Sequence, residues 1–315
     1  MNGSIASINT SDIDGEKKMP VLAAVLLAGR GVKHDSPAGC ARQVSLLSAE
    51  SIDSASESGL DLRPGDFGEN ITTYGFDLGS VRIGERIRVG SEVVLQISEI
   101  GKVCQTPCDI GERLGDCIIP CEGVFARVQR GGMISPGDSV ERTDAKVAAV
   151  LTSSDRCVSG ERDDESGFLL LQLLDELGVL VADYSVLPDD ESVLSEHLRF
   201  LADSCAVDMV LTTGGTGFTL RDRMPEATLA VLDSPAPGIA EAVRYEGLKH
   251  TPYACISRGI SGLRGRTLIV NLPGSKRAIK QIYDLLTAVI PHTLEAIRME
   301  IADCGTKTQP PAINV

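Results

Sequence analysis

Tryptophan is absent from the 315 residues, and aromatic side chains make up only 3% of them. A chain so poor in rings has few platforms on which bases or sugars could stack. Cations are also outnumbered, with 30 Lys and Arg against 44 Asp and Glu, a formal charge of −14. Phosphate-backbone and acidic-membrane binders need the opposite balance. The expected partners are therefore small molecules, with no nucleic acid and no membrane; an anionic ligand needs only a local basic pocket. No apolar run reaches 18 residues, so no transmembrane helix is expected. The opening stretch MNGSIASINTSDIDGEKKMP has no basic segment followed by an apolar one, so no export signal is expected either. Nine cysteines, an odd number, favour reduced thiols and a cytoplasmic location over a disulfide framework.

What is present is ordinary for a soluble protein: 43% hydrophobic and 23% charged residues, in a length that suits two domains. The two halves differ in period. Up to about Thr143 the chain runs in short apolar segments, among them VLAAVLL, VRIGERIRVG, SEVVLQISEIG, GVFARVQRGG and ISPGDSVER, broken by Pro-Gly and Gly-Gly turn signals. VRIGERIRV alternates like a half-buried strand. Only SAESIDSASESG looks helical, so residues 1–143 read as a mostly-β barrel. Beyond Asp144, strands such as KVAAVLT, VLVADYSVL, VDMVL and RTLIVNL alternate with helical stretches. That order predicts an α/β domain over 144–315, three-layered around a mainly parallel sheet, ending in one long helix from Lys276. Ser139–Asp144 reads as the polar link between the two halves.

The strongest local signal is TTGGTG, directly after VDMVL. In an open parallel sheet, ligands sit beyond the carboxyl ends of the strands. Glycines there let backbone N–H groups approach an anion closely, and threonine hydroxyls add donors. Asp222, between Arg221 and Arg223, follows at the mouth of this loop, where a hard oxygen ligand could hold Mg2+. Pro225 suits the first turn of the next helix. The loop is neither the dinucleotide fingerprint nor the Walker sequence.

TTGGTGFTLRDRMPEAT closely resembles the signature of the MogA/MoaB family of molybdopterin adenylyltransferases, which act in molybdenum cofactor biosynthesis. LTSSDRCVSGERDDESG, VLPDDES and LIVNLPGSKRA follow the same family in the same order, over about 145–300. The resemblance implies Mg2+-dependent transfer of AMP from ATP to molybdopterin with release of pyrophosphate. It points to Asp222 and Asp189 as the catalytic or metal-holding carboxylates, Asp190 being the neighbour that could instead cap a helix. It implies a phosphate cradle from Thr213, Gly214, Gly215, Thr216 and Gly217, with Asn271, Pro273, Gly274 and Ser275. Ser154, Asp155 and Arg156 face the same edge, and Ser257 and Arg258 match a family Ser-Arg pair whose arginine could meet a phosphate or solvent. Lys276 and Arg277 stand where many relatives have a proline, and Met224 where they have threonine. By analogy a homo-oligomer, such as a trimer, is expected, with other molybdenum cofactor biosynthesis proteins as further partners.

The first half resembles MOSC domains through GSIASINTSDIDGEKKMPV, RQVSLLSAESI, GDFGENITTYGFDL and GVFARVQRGGMISPGDSV, over about 3–141. This implies a barrel that binds molybdopterin or molybdenum cofactor, or carries sulfur on a cysteine. Cys104 is the candidate, with Cys108 second and Lys102 and Arg113 as candidate neighbours. Cys104, Cys108, Cys117 and Cys121 form C-x3-C-x8-C-x3-C, a weak match to zinc spacing. Pro37 stands where relatives carry histidine; Asp35, Ala38 and Gly39 fit, and His34 is offset. The rival expectation is a non-catalytic protein that holds and delivers molybdopterin or the finished cofactor.

Overall fold

The structure, a computed structural model, describes residues 2–13, 17–35, 42–57, 59–101 and 117–298. It divides into two compact units, Met1–Ala145 and Lys146–Val315. In the first, the strands are β1 (Gly3–Thr10), β2 (Met19–Val21), β3 (Ala24–Leu27), β4 (Gly31–Val32), β5 (Val44–Ser48), β6 (Ile71–Tyr74), β7 (Arg86–Val89), β8 (Val93–Ile100), β9 (Val124–Arg130), β10 (Gly132–Ile134) and β11 (Ser139–Thr143). Seven of them pair in the order β11-β7-β8-β9-β5-β6-β1, and β1 pairs back to β11 through Gly3↔Val140 and Ser4↔Ser139. The ring is closed. Its inward residues, including Ile8, Val44, Leu46, Ile71, Ile87, Leu95 and Val128, are fully buried in one core. Helix Ala49–Ser56 starts where Ser48 Oγ accepts the Ser51 N–H at 3.0 Å.

Two expectations fail here. Ser139–Thr143 is not a link but the strand that closes the barrel. Its polar look arises because one buried side chain, Val140, suffices on the inner face of so short a strand. The alternation in VRIGERIRV overstates the strand, which begins only at Arg86; Gly84 turns at φ 91° and Ile83 is exposed.

The second unit carries β12 (Val147–Ser153), β13 (Leu180–Leu187), β14 (Met209–Thr213), β15 (Ser234–Pro235), β16 (Ser261–Arg264) and β17 (Thr267–Leu272), in the order β13-β12-β14-β17-β16-β15. The first four in that order are parallel; β16 and β15 add antiparallel strands at one side. Ala148, Val150, Met209, Leu211, Leu268 and Val270 share a core with helices Glu165–Glu176, Pro237–Leu248 and Tyr283–Ile297. The alternate residues Ala149, Leu151, Val210 and Ile269 are fully buried as well. A strand buried on both faces reads as the continuous apolar run seen in KVAAVLT. The expected single C-terminal helix is two, Lys276–Gln281 and Tyr283–Ile297, separated at the buried Ile282.

Candidate active site

Register brings the site together. Ser153 pairs with Leu187, Thr152 with Thr213, and Thr213 with Leu272, so four parallel strands end side by side. The segments that leave them are 154–156, 188–190, 214–217 and 273–275, and these carry most of the expected residues. Gly214 lies at φ 88°, and an added Cβ would stand 2.2 Å from the Ser153 carbonyl, so only glycine fits. A Cβ on Gly274 would stand 2.9 Å from Gly214 Cα, which places the 273–275 segment directly against the glycine loop. Thr213 Oγ1, fully buried, donates to the Pro273 carbonyl at 2.8 Å and fastens the two segments.

The two expected carboxylates flank this loop. A Cβ on Gly215 would lie 3.2 Å from Asp189 Oδ1, and one on Gly217 would lie 3.0 Å from Asp222 Oδ2. Asp189 is held by the Ser153 hydroxyl on Oδ1 at 2.5 Å and by the Asp155 N–H on Oδ2 at 3.2 Å. Its own N–H donates back to Asp155 Oδ1 at 3.1 Å. Asp190 points elsewhere. Its Oδ1 accepts the Ser192 and Val193 N–H groups at 2.9 and 3.0 Å, capping helix Glu191–Arg199. Asp222 Oδ2 accepts the Thr219 N–H at 2.8 Å and the Asp222 N–H returns to the Thr219 carbonyl at 3.1 Å, closing a tight turn.

Charge around the carboxylates is arranged by two arginines. Arg221 donates to Asp155 Oδ2 through Nε at 2.9 Å and through Nη2, and with the Asp189 N–H it holds the half-buried Asp155 carboxyl below the usual range. Arg258, expected on a phosphate or in solvent, is bonded within the protein. Its backbone N–H donates to the Thr216 carbonyl at 3.0 Å, Nε to the Gly217 carbonyl at 2.7 Å and Nη2 to the Asp222 carbonyl at 2.7 Å, while Nη1 meets Glu226. Burial pushes the Glu226 carboxyl up, but Arg258 and the backbone outweigh it and the group lies below its ordinary value.

Other expected residues have structural tasks. Asn271 is buried, and its amide is used up: Nδ2 donates to Thr212 and Thr228 at 3.0 and 2.9 Å, and Oδ1 accepts the Ile260 N–H at 3.2 Å. These bonds hold it at the end of β17, beside the 273–275 segment. Ser154 and Ser275 cap helices Asp155–Val158 and Lys276–Gln281. Ser257 Oγ accepts the Gly259 N–H at 3.4 Å, and Arg156 lies 3.9 Å from exposed Glu161. Thr216 is buried within the loop. Lys276 pairs with Glu165 at 2.8 Å, and with Arg277, Lys280, His250, Glu246 and Asp284 it rims a cavity of about 570 Å³ whose lining does not include Asp189 or Asp222.

Sequence reasoning missed Asp164. This buried carboxylate accepts Thr152 Oγ1 at 2.5 Å and Tyr184 OH at 2.8 Å on Oδ2, and the Gly167 N–H at 2.8 Å on Oδ1. It ties β12, β13 and helix Glu165–Glu176 together beneath the site. Burial first, then this bond, pushes the Tyr184 phenol well up. Only the alternative of a capping Asp three residues before a glycine could have revealed it.

In the barrel, Cys104 and Cys108, with Lys102 and Arg113, lie outside the described residues, as do Pro37, Ala38 and Gly39. The Asp35 side chain is only 5% exposed and is bound by Lys18 Nζ at 2.6 Å, Asn70 Nδ2 at 2.8 Å and the Ser11 N–H at 2.8 Å. His34 beside it turns at φ 62°. Of the described cysteines here, Cys117 is a half-buried thiol and Cys121 an exposed one.

A glycine loop between two carboxylates, at the shared edge of four parallel strands, is the class of site at which open α/β sheets hold anionic ligands. Comparison with known proteins makes this particular. Residues 149–292 match the model of the probable molybdopterin binding domain, and residues 33–141 match that of the MOSC domain. Molybdopterin adenylyltransferase of Helicobacter pylori strain J99 is 37% identical over 150 residues, 47% of this chain and 85% of that protein. The chain belongs to the molybdopterin binding domain family, with a MOSC domain in its first half. The molybdenum cofactor synthesis protein cinnamon of Drosophila melanogaster is 38% identical over 154 residues, 49% of this chain but only 26% of cinnamon, so the chain spans about a quarter of that relative. A crystal structure of the molybdopterin biosynthesis enzyme MoaB from Thermus thermophilus aligns with 41% identity and a TM-score of 0.46, over 49% of this chain and 97% of that one.

Proposed function

We propose that the second unit transfers AMP from ATP to molybdopterin. A phosphate oxygen of molybdopterin attacks the α-phosphorus of ATP, the bond to the β-phosphate breaks, and pyrophosphate leaves. Such chemistry asks the protein for positioning and charge stabilisation rather than a covalent nucleophile. The observation that carries the reading is the placement of Asp189 and Asp222 on either side of the Gly214–Gly217 loop, at the shared carboxyl edge of four parallel strands. The backbone N–H groups of this loop and of Gly274–Ser275 would cradle phosphates.

Among the described residues no three His, Cys, Asp or Glu side chains converge as a metal cage. Two hard carboxylates are nonetheless the protein share of a Mg2+ site when substrate phosphates and water supply the rest, so the donor set fits. Asp189 and Asp222 would hold the ion, which would neutralise charge on the phosphates. Ser153 and the Asp155 N–H orient Asp189 for that task, and Thr219 orients Asp222.

We read helices on both faces of the mainly parallel sheet as the three-layer arrangement of this family, and assign the protein to the cytoplasm as a homo-oligomer. For the barrel we propose a holding site for a molybdopterin-type ligand, supported by the MOSC match. The test is pyrophosphate release from ATP, with and without molybdopterin, for wild type and Asp222→Ala. Molybdopterin-dependent release is expected in the wild type, reduced by about 10²-fold or more in the variant. Equal release by both would sink the assignment of Asp222.

A further inference from the structure

Each of the three guanidinium nitrogens of Arg258 is committed to the protein. Nε holds the Gly217 carbonyl at 2.7 Å, Nη2 holds the Asp222 carbonyl at 2.7 Å, and Nη1 meets Glu226 in the helix Met224–Leu229. The residue's own N–H adds the Thr216 carbonyl at 3.0 Å. One side chain therefore pins both ends of the 217–222 turn, and Glu226 fixes the guanidinium to the helix that follows. The consequence for Asp222 is direct. Its carboxylate is oriented by the Thr219 N–H at 2.8 Å, inside a turn whose two ends are bridged by one guanidinium.

We propose that Arg258 and Glu226 are a positioning pair, which sets Asp222 and the peptide units that follow Thr216 and Gly217 for adenylyl transfer without touching substrate. This rests on the function proposed above. A planar fork is needed: each acceptor is met by a different guanidinium nitrogen, whereas the three N–H groups of a lysine ammonium all radiate from one atom. A phosphate contact would also suffer from the change to lysine, but only with substrate bound, whereas a clamp on the turn is lost in the protein alone, so exchange without substrate separates the two roles.

The experiment uses the full chain and Arg258→Lys, with Glu226→Gln as a milder variant that keeps an acceptor. Steady-state kinetics with ATP and molybdopterin are compared with amide hydrogen exchange over residues 216–223 in the protein alone. Expected for Arg258→Lys is a fall in kcat of roughly 10–100-fold with KM for ATP within about threefold, since misplacing a group by about 1 Å has that scale of effect. Exchange over 216–223 should accelerate about tenfold, with Glu226→Gln between it and wild type. Added guanidinium ion should restore part of kcat in Arg258→Ala. A raised KM for ATP with kcat and exchange unchanged would overturn the proposal in favour of a phosphate contact. Wild-type kcat and wild-type exchange in Arg258→Lys would overturn it outright. If the wild type releases no pyrophosphate, the adenylyl-transfer reading fails. The exchange measurement then decides the clamp alone: faster exchange upholds it and unchanged exchange rejects it.

Discussion

Asp189 and Asp190 are adjacent in sequence and opposite in task. Asp189 turns to Ser153 and the glycine loop, while Asp190 spends its carboxylate on the first turn of helix Glu191–Arg199. Replacing an N-cap Asp by Ala costs about 1 kcal/mol. We expect Asp190→Ala to lower stability by roughly that amount while pyrophosphate release persists. Asp189→Ala should do the reverse, abolishing release with little change in denaturant midpoint. Paired measurements of release and unfolding check both, and a loss of release in Asp190→Ala alone would exchange the roles. Sequence spacing could not choose between the two, because either Asp could follow the strand end. The choice is made by β13, whose register with β12 sets Leu187 beside Ser153.

At the level of elements, the barrel illustrates how a turn is fixed by a buried acid. Glu69 is fully buried, and Oε1 accepts the Gly65 N–H at 2.6 Å and Thr72 Oγ1 at 2.8 Å, fastening the 65–69 turn to β6. Burial, the largest influence, raises its carboxyl above the ordinary value, against the pull of these two bonds. A raised folded-state value favours folding fully below the unfolded value, and that contribution is lost as pH rises through the folded one. Wild type should therefore lose stability relative to Glu69→Gln as pH increases from about 4.5, by at most about 1.4 kcal/mol per unit until the folded value is passed. Urea unfolding of both proteins at several pH values checks this; parallel pH profiles would contradict it. Elements were legible where a period was strong. KVAAVLT and VDMVL are buried on both faces and appear as β12 and β14. Strand β16 was not legible, since SGLR carries one large apolar residue and owes its place to the hairpin at Gly265, φ 53°, that returns β17 against it.

For the whole molecule, each unit has its own apolar core, and each matches its own family model. The glycine loop was readable from sequence because TTGGTG follows a buried strand, while the choice of Asp189 came from the family resemblance. The clamp by Arg258 was not, since it depends on contacts 32 to 41 residues away in sequence that only the folded sheet creates. The same holds for Asp164 and its bonds to Thr152 and Tyr184. The central claim is transfer, as opposed to retention, of the pterin. It is tested most directly by incubating the full chain with molybdopterin, Mg2+ and ATP labelled at the α-phosphate, and weighing the pterin product by mass spectrometry. The account predicts molybdopterin carrying the labelled AMP, formed in step with pyrophosphate. Molybdopterin that binds tightly yet stays unlabelled would contradict it, and would make the protein a carrier.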